Sequence, residues 1–365
     1  MTEGISRRRF LRQSGLALGA IGAGGLLSAC ATDGGAGTST IASMAPTAGP
    51  TTSLLQSAQV GTQLSWIKNV QFAGWFYADA EELFAEEAIE PEFFSGAEAI
   101  VEEVVAGGST DVGIVGFLEG VVDAVIGGSE FVVFGAQYQE SPAGLMSMPD
   151  NPIRTPEDIL GKRIGVQGEA REFETILRLA GLPADDFTPV PVGFDPAPLV
   201  EGQVDGYFSF VTNQPLILQA QGLDPVVVTL AELGFAQYAD VLIARRDYFE
   251  SNREVLARWL RATIKGWELN NANLQQGTDY TLEVGRDLGL DPDQQLAQNT
   301  AQKPLMESSL TAERGLFWID KAIVAGVMYD GLRASGREGL PDVDTLIDTS
   351  ILEMAFDGAT TLTGT

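Results

Sequence analysis

The run DVGIVGFLEGVVDAVIGGSEFVVFGAQ, residues 111–137, decides the architecture. Val112–Val115 reads as a short apolar strand, Leu118–Ile126 has the apolar spacing of a helix, and Phe131–Gln137 is a second apolar strand. Antiparallel neighbours need only a tight turn, so a helix between two buried strands implies a parallel sheet with crossover connections. The same alternation extends upstream. Gln63–Trp66 and Glu90–Phe94 read as strands, followed by helices at Trp75–Glu87 and Glu98–Ala106. Downstream a second series begins with a strand at Gly144–Met148. Thr155 then precedes Pro156 as the N-cap of a short turn. Ile164–Val166, Phe187–Val192, Gly206–Phe210 and Pro225–Leu230 read as further strands, with helices running to Leu179 and over Pro215–Ala220. Val241–Ala244 turns back to the first series. From Tyr248 the pattern is helical, over Arg253–Asn273, Asp279–Leu288, Asp293–Gln302 and Ala312–Tyr329.

The expected fold is therefore α/β in two lobes. Lobe 1 spans 63–140 plus 245–360, and lobe 2 (141–244) is inserted within it. Two chain crossings make a hinge. Ligands of open α/β sheets bind beyond the carboxyl ends of the strands, so two such sheets facing each other form a cleft that closes on a small molecule.

Composition removes several alternatives. The 365 residues carry 22 Lys and Arg against 50 Asp and Glu, a formal charge of −28, with no His and one Cys. A nucleophile activated by histidine, a His-ligated metal and an intramolecular disulfide are all excluded. No cofactor is expected. Nucleic acid is not expected as a partner, because no basic excess exists to neutralise phosphates.

The amino-terminal residues read as an address. Ser6-Arg7-Arg8-Arg9-Phe10-Leu11-Arg12 precedes an apolar run from Leu16 to Leu27, which ends in Leu26-Leu27-Ser28-Ala29-Cys30. A basic start, a short apolar stretch and small residues before a break make a secretory signal over 1–29. The paired arginines resemble a twin-arginine leader. Leu-Ser-Ala-Cys resembles a bacterial lipobox, which makes Cys30 the lipidation residue. The apolar run is too short to span a bilayer. Residues 30–62, rich in Ala, Thr, Ser and Gly, read as a flexible tether. The expected location is the outer face of the cytoplasmic membrane, held there by lipid.

Three stretches carry a family resemblance: Leu64-Ser65-Trp66-Ile67-Lys68-Asn69-Val70-Gln71-Phe72-Ala73-Gly74-Trp75-Phe76-Tyr77-Ala78, Gly161-Lys162-Arg163-Ile164-Gly165-Val166, and Val204-Asp205-Gly206-Tyr207-Phe208-Ser209-Phe210-Val211-Thr212-Asn213-Gln214-Pro215. In these the chain resembles extracytoplasmic solute-binding proteins of ABC importers. More narrowly, it resembles the group that binds thiamine pyrimidine precursors, riboflavin, sulfonates or nitrate. The resemblance covers roughly residues 63–330. It implies a periplasmic-binding-protein fold of type II, a monomer, and a permease with its ATPase as partners. The pyrimidine binders usually carry an Asp where Ser65 stands and often a Glu where Gln214 stands, so riboflavin, larger and neutral, competes as the ligand.

The candidate ligand-binding residues follow from strand ends and side-chain chemistry. Trp66, Asn69 and Phe72 follow the first strand, and an aromatic face with an amide suits a flat heterocycle. Gln137 and Tyr138 end the fourth strand. Phe210, Asn213 and Gln214 lie at and beyond a strand of the second lobe, and Tyr238 lies in the second crossing. Glu169 and Phe173 mark a helix start, where an anion would bind. Glu169 and Glu172 there satisfy the helix dipole themselves and disfavour sulfonate, nitrate or phosphate. The reading is a neutral vitamin-like ligand. Alternatives are a sulfonate, taurine or nitrate binder of the same fold, or a tethered sensor without a transporter. An enzyme is not expected, since related enzymes use a histidine and a cysteine cluster.

Overall fold

The computed structural model describes residues 55–96, 99–168 and 170–364. The expected leader, Cys30, the tether up to residue 54, and Glu169 lie outside the described residues. No helix among the described residues is long and apolar enough to cross a membrane.

Two five-stranded sheets form the frame. The first contains β1 (Ala58–Gln63), β2 (Ile89–Phe94), β3 (Val112–Phe117), β4 (Phe131–Tyr138) and β10 (Ala239–Arg245), in the order β2-β1-β3-β10-β4. The second contains β5 (Ala143–Ser147), β6 (Arg163–Val166), β7 (Thr188–Pro191), β8 (Gly206–Phe210) and β9 (Val226–Thr229), in the order β7-β6-β8-β5-β9. The two orders are the same topology. In each, four strands run the same way, and the strand that enters from the other sheet is inserted antiparallel between the third and the fourth. That strand is β10 in the first sheet and β5 in the second. The residues between β4 and β5 and those between β9 and β10 are the crossings. They are tied together where the Ser141 N–H donates to the Gln237 carbonyl at 3.1 Å.

Both faces of the first sheet are covered, so β4 is buried along its whole length and reads as a continuous apolar run. The helices used below are α1 (Ala73–Ala80), α2 (Leu118–Ile126), α3 (Arg171–Leu179), α4 (Gln214–Ala220), α5 (Arg253–Ala272) and α6 (Pro292–Gln302). α1 and α5 cross at backbone distance. A Cβ built on Gly266 would lie 2.2 Å from the Gly74 carbonyl oxygen, and one on Gly74 2.2 Å from the Trp267 ring.

Several boundaries differ from the sequence expectation. The first strand is Ala58–Gln63, not Gln63–Trp66. Its small polar residues resemble a tether in composition, yet Thr62 and Gln63 are buried because β1 lies between two parallel partners. Lobe 1 therefore begins before residue 63. The chain is back in the first sheet at Ala239, ahead of the expected 245, since β10 pairs with both β3 and β4. The helix expected over Trp75–Glu87 is broken near Glu82, whose φ of 59° is left-handed. Ala312–Tyr329 is not one helix. Gly315 (φ 102°) and Phe317 (φ 71°) turn the chain so that the Phe317 carbonyl accepts from the Ala136 N–H of β4.

The carboxyl-terminal part does more than complete lobe 1. Val324, Met328, Tyr329 and Leu332 share a core with Phe173, Ile176 and Leu177 of α3. Gly331 allows the approach, since a Cβ there would sit 2.7 Å from the Phe235 ring. The chain then returns, and Ile347 bridges to Val133 of β4. A third segment thus joins the two lobes beside the hinge.

Candidate functional site

The carboxyl ends of the parallel strands of both sheets face one cleft of about 640 Å³. Aromatic rings meet across it in two places. Phe117, the last residue of β3, lies 5.9 Å from Phe210, the last residue of β8. Trp66, beyond β1, makes an edge contact at 4.8 Å with Phe194, beyond β7. β3 and β8 neighbour the inserted strands β10 and β5, whereas β1 and β7 lie farther from them. The Phe117–Phe210 pair is therefore near the hinge, and the Trp66–Phe194 pair is remote from it.

One wall is built of amides. Asn69 caps the turn Val70–Phe72 by accepting from the Gln71 N–H at 3.1 Å. Gln295 accepts from the Val70 N–H at 3.1 Å, and Gln214 accepts from the Phe210 N–H at 2.9 Å. Gln294 of α6 donates to Asn213 Oδ1 at 2.9 Å, a bridge between the lobes. Gln298, one turn along α6, is buried, and its Oε1 has no hydrogen-bond partner among the described residues.

Behind this wall stands Asp240 of β10. Its Oδ1 accepts from Ser65 Oγ at 2.9 Å and its Oδ2 from Gln71 Nε2 at 2.7 Å. Asp240 has a left-handed φ of 45° between the paired positions Ala239 and Val241, and the register shift of β10 against β4 comes after it, between Leu242 and Ile243. Burial pushes this carboxyl up to about 7, against the opposing effect of the Gln71 and Ser65 hydrogen bonds. The hinge end of the cleft is ionic. Arg337 pairs with Asp123 at 2.6 Å and Glu119 at 2.7 Å, both on α2. Glu172, at the start of α3, is also pushed up to about 7, by burial first and then by the charge of Glu119.

Five of the residues singled out from the sequence line this cleft: Trp66, Asn69, Phe210, Asn213 and Gln214. The others are elsewhere. Phe72 is fully buried against Trp75, because the turn after β1 directs its ring into the core. Gln137 is buried behind the wall and donates to the Gln71 carbonyl at 3.0 Å, so it braces a lining residue. Tyr138 donates to Gln302 Oε1 at 2.7 Å, and Gln302 in turn donates to the Val70 carbonyl. Phe173 packs edge-on against Phe187 and Phe208 in the second lobe. Tyr238 accepts from the Asp320 N–H at 3.0 Å, fastening the second crossing to the carboxyl-terminal segment. Glu169 is outside the described residues.

Sequence reasoning missed Gln71, Phe117, Asp240, Gln295 and Gln298. Two signals were present: a lone Asp in the apolar strand Ala239–Ala244, and glutamines at 294, 295, 298 and 302 on one helix.

The fold and the cleft are those of a two-lobed protein of the periplasmic-binding-protein type. The model of the family described as NMT1/THI5 like matches residues 69–275, more than half of the chain, and the chain belongs to that family. It is 27% identical to the riboflavin-binding protein RibY of Chloroflexus aurantiacus, over 81% of this chain and 85% of that one. It is 28% identical to the formylaminopyrimidine-binding protein of Halalkalibacterium halodurans, over 38% of this chain and 44% of that one. Among solved structures, the periplasmic aliphatic sulphonate binding protein SsuA of Escherichia coli matches with a TM-score of 0.60 at 19% identity, covering 81% of this chain and 92% of that one. That likeness concerns the fold.

Proposed function

We propose that this protein is the exported, lipid-anchored substrate-binding component of an ABC importer, and that it captures a flat, neutral, vitamin-like heterocycle for a permease. Riboflavin-sized ligands suit it better than a single pyrimidine ring. The observation that carries this reading is the cleft itself. Its volume of about 640 Å³ falls within the roughly 300–1,000 Å³ typical of sites for drug-sized ligands. It pairs rings from both lobes with an amide wall, the chemistry that stacks a heterocycle and bonds its edge.

Two observations weigh against the alternatives. A sulfonate or nitrate would meet the Glu172 carboxyl at the start of α3, and the Arg337 guanidinium at that end of the cleft is already engaged by Glu119 and Asp123. A 4-amino-5-hydroxymethyl-2-methylpyrimidine phosphate synthase of Legionella pneumophila is 24% identical over 57% of this chain. The present chain has no histidine, and its one cysteine is Cys30, just after the expected leader, so it lacks the groups that would make it an enzyme of that kind.

Native mass spectrometry with an absorbance spectrum, on the full chain purified from its host membrane, tests the reading. A bound mass with flavin absorbance supports it. A colourless pyrimidine mass keeps the importer role and changes the ligand. A bound sulfonate overturns the ligand class.

A further inference from the structure

Ser65 stands between the cleft and the buried carboxyl of Asp240. It lines the cleft, and its hydroxyl has two partners within the protein. It donates to Asp240 Oδ1 at 2.9 Å and accepts from Gln71 Nε2 at 3.2 Å. A hydroxyl has one hydrogen and two lone pairs, so these two contacts leave one position free. What occupies that position depends on the Asp240 proton. With Asp240 ionised, the hydroxyl hydrogen points to the carboxylate and the free position is a lone pair. With a proton on Oδ1, Asp240 becomes the donor. Ser65 then accepts from Asp240 and Gln71 together, and its hydrogen takes the free position. Gln71 donates to Oδ2 at 2.7 Å and can keep that bond in both states.

Resting on the reading above, we infer that the Asp240 proton switches the face Ser65 turns to the cleft from hydrogen-bond acceptor to donor, so that the protonated pair holds a ligand carbonyl more tightly than the ionised one. The surroundings place this switch near neutral pH. Burial opposes the Asp240 charge and raises the carboxyl to about 7, and what favours the charge is the pair of hydrogen bonds from Gln71 and Ser65, not a cation. From β4 the titratable neighbour is Tyr138. Burial first, and the Asp240 charge second, push its hydroxyl well above the ordinary range, so it stays neutral and donates to Gln302. From β3 the residues paired beside Asp240, Val115 and Phe117, are uncharged. From the segment after β1 come Ser65 and Gln71 themselves. The charged groups that line the cleft, Glu119, Asp123, Arg171, Glu172 and Arg337, belong to its hinge end. The ring edge of riboflavin presents two carbonyl oxygens and two ring nitrogens against one N–H, so a ligand of that kind meets Ser65 mostly with acceptors and draws a proton onto Asp240 as it binds.

The test is calorimetric titration of riboflavin into the full chain, freed of endogenous ligand, at pH 5 and pH 8. Wild type should bind about tenfold more tightly at pH 5, the effect of one hydrogen bond made rather than left unmade. Asp240→Asn, whose NH2 keeps Ser65 accepting from within and donating outward, should bind at pH 8 as tightly as at pH 5. Ser65→Ala should lose the pH dependence and bind no better than wild type does at pH 8. Equal wild-type affinity at the two pH values overturns the switch and leaves the proposed function standing. A Ser65→Ala variant that keeps the full dependence also overturns it, because the dependence then belongs to another group, such as Glu172. If Ser65→Ala does not fold, Asp240→Asn decides alone, and a wild-type pH dependence in that variant overturns the switch. Absence of riboflavin binding by wild type at both pH values overturns the switch and the proposed ligand together.

Discussion

Replacing Asp240 by Asn should make the protein more stable above neutral pH, although it removes a hydrogen-bonded charge. Burial moves the Asp240 carboxyl from 3.8 to about 7. The folded state therefore holds this proton more tightly than the unfolded chain does. Its contribution to stability is present below pH 3.8 and is lost as pH rises to about 7. Three units at about 1.4 kcal/mol each give roughly 4 kcal/mol over the whole range. Between pH 5 and pH 8 the share lost is about 2.5 kcal/mol, because the first unit above 3.8 has already been spent. Asn avoids this loss. Its oxygen can accept from Gln71 Nε2, and its NH2 can donate to Ser65 Oγ, which turns from donor to acceptor. Asn also tolerates the left-handed backbone at this position. Urea unfolding of wild type and Asp240→Asn at pH 5 and pH 8 gives the answer as a difference of differences, in which every other titrating group cancels. The variant should gain about 2.5 kcal/mol on the wild type across that interval. A difference between the two proteins that does not change with pH refutes the argument.

Glu172→Gln should likewise flatten the pH dependence of stability, since the Glu172 carboxyl is raised from 4.5 to about 7 and its ionisation in the folded state is disfavoured. Thermal melts at pH 5 and 8 would show a variant as pH-dependent as the wild type if this is wrong. Gly74→Ala places a methyl group 2.2 Å from the buried Trp267 ring. A helix normally gains about 1 kcal/mol from this change, but overpacking here should cost roughly 1–3 kcal/mol. A rise in the urea midpoint would contradict the close packing of α1 on α5. Trp66→Ala should weaken riboflavin about tenfold, or ~1.4 kcal/mol, by calorimetry, and unchanged affinity removes Trp66 from the site. Cys30→Ser should release the protein from the membrane fraction, and retention there would rule out the lipid anchor.

The frame was legible because its cause is local. Leu118–Ile126 and Gly206–Phe210 have the same bounds in the sequence reading and in the structure, since an apolar period and its flanking glycines or polar residues announce them. β1 was not legible in full. Ala58–Gln63 has the composition of a linker and is a strand only because two partners enclose it. The same division holds at the site. Trp66 and Asn213 stand just beyond strand ends, where topology predicts a ligand. Asp240 reaches the cleft wall through two side chains from a segment some 170 residues earlier, and no short-range pattern encodes that meeting. Phe72 and Tyr138 were misjudged for the converse reason. Proximity to a strand end does not say to which side a ring turns.

The two ring contacts across the cleft sit at different lever arms from the hinge, so any rotation of one lobe displaces Trp66 from Phe194 far more than Phe117 from Phe210. The other four tryptophans, Trp75, Trp259, Trp267 and Trp318, are sealed inside lobe 1, whereas Trp66 is half-buried at the seam between the lobes. The molecule consequently carries a built-in optical gauge. Its constant emission comes from the four enclosed indoles, and the variable part comes from one side chain whose surroundings change with the angle between the lobes.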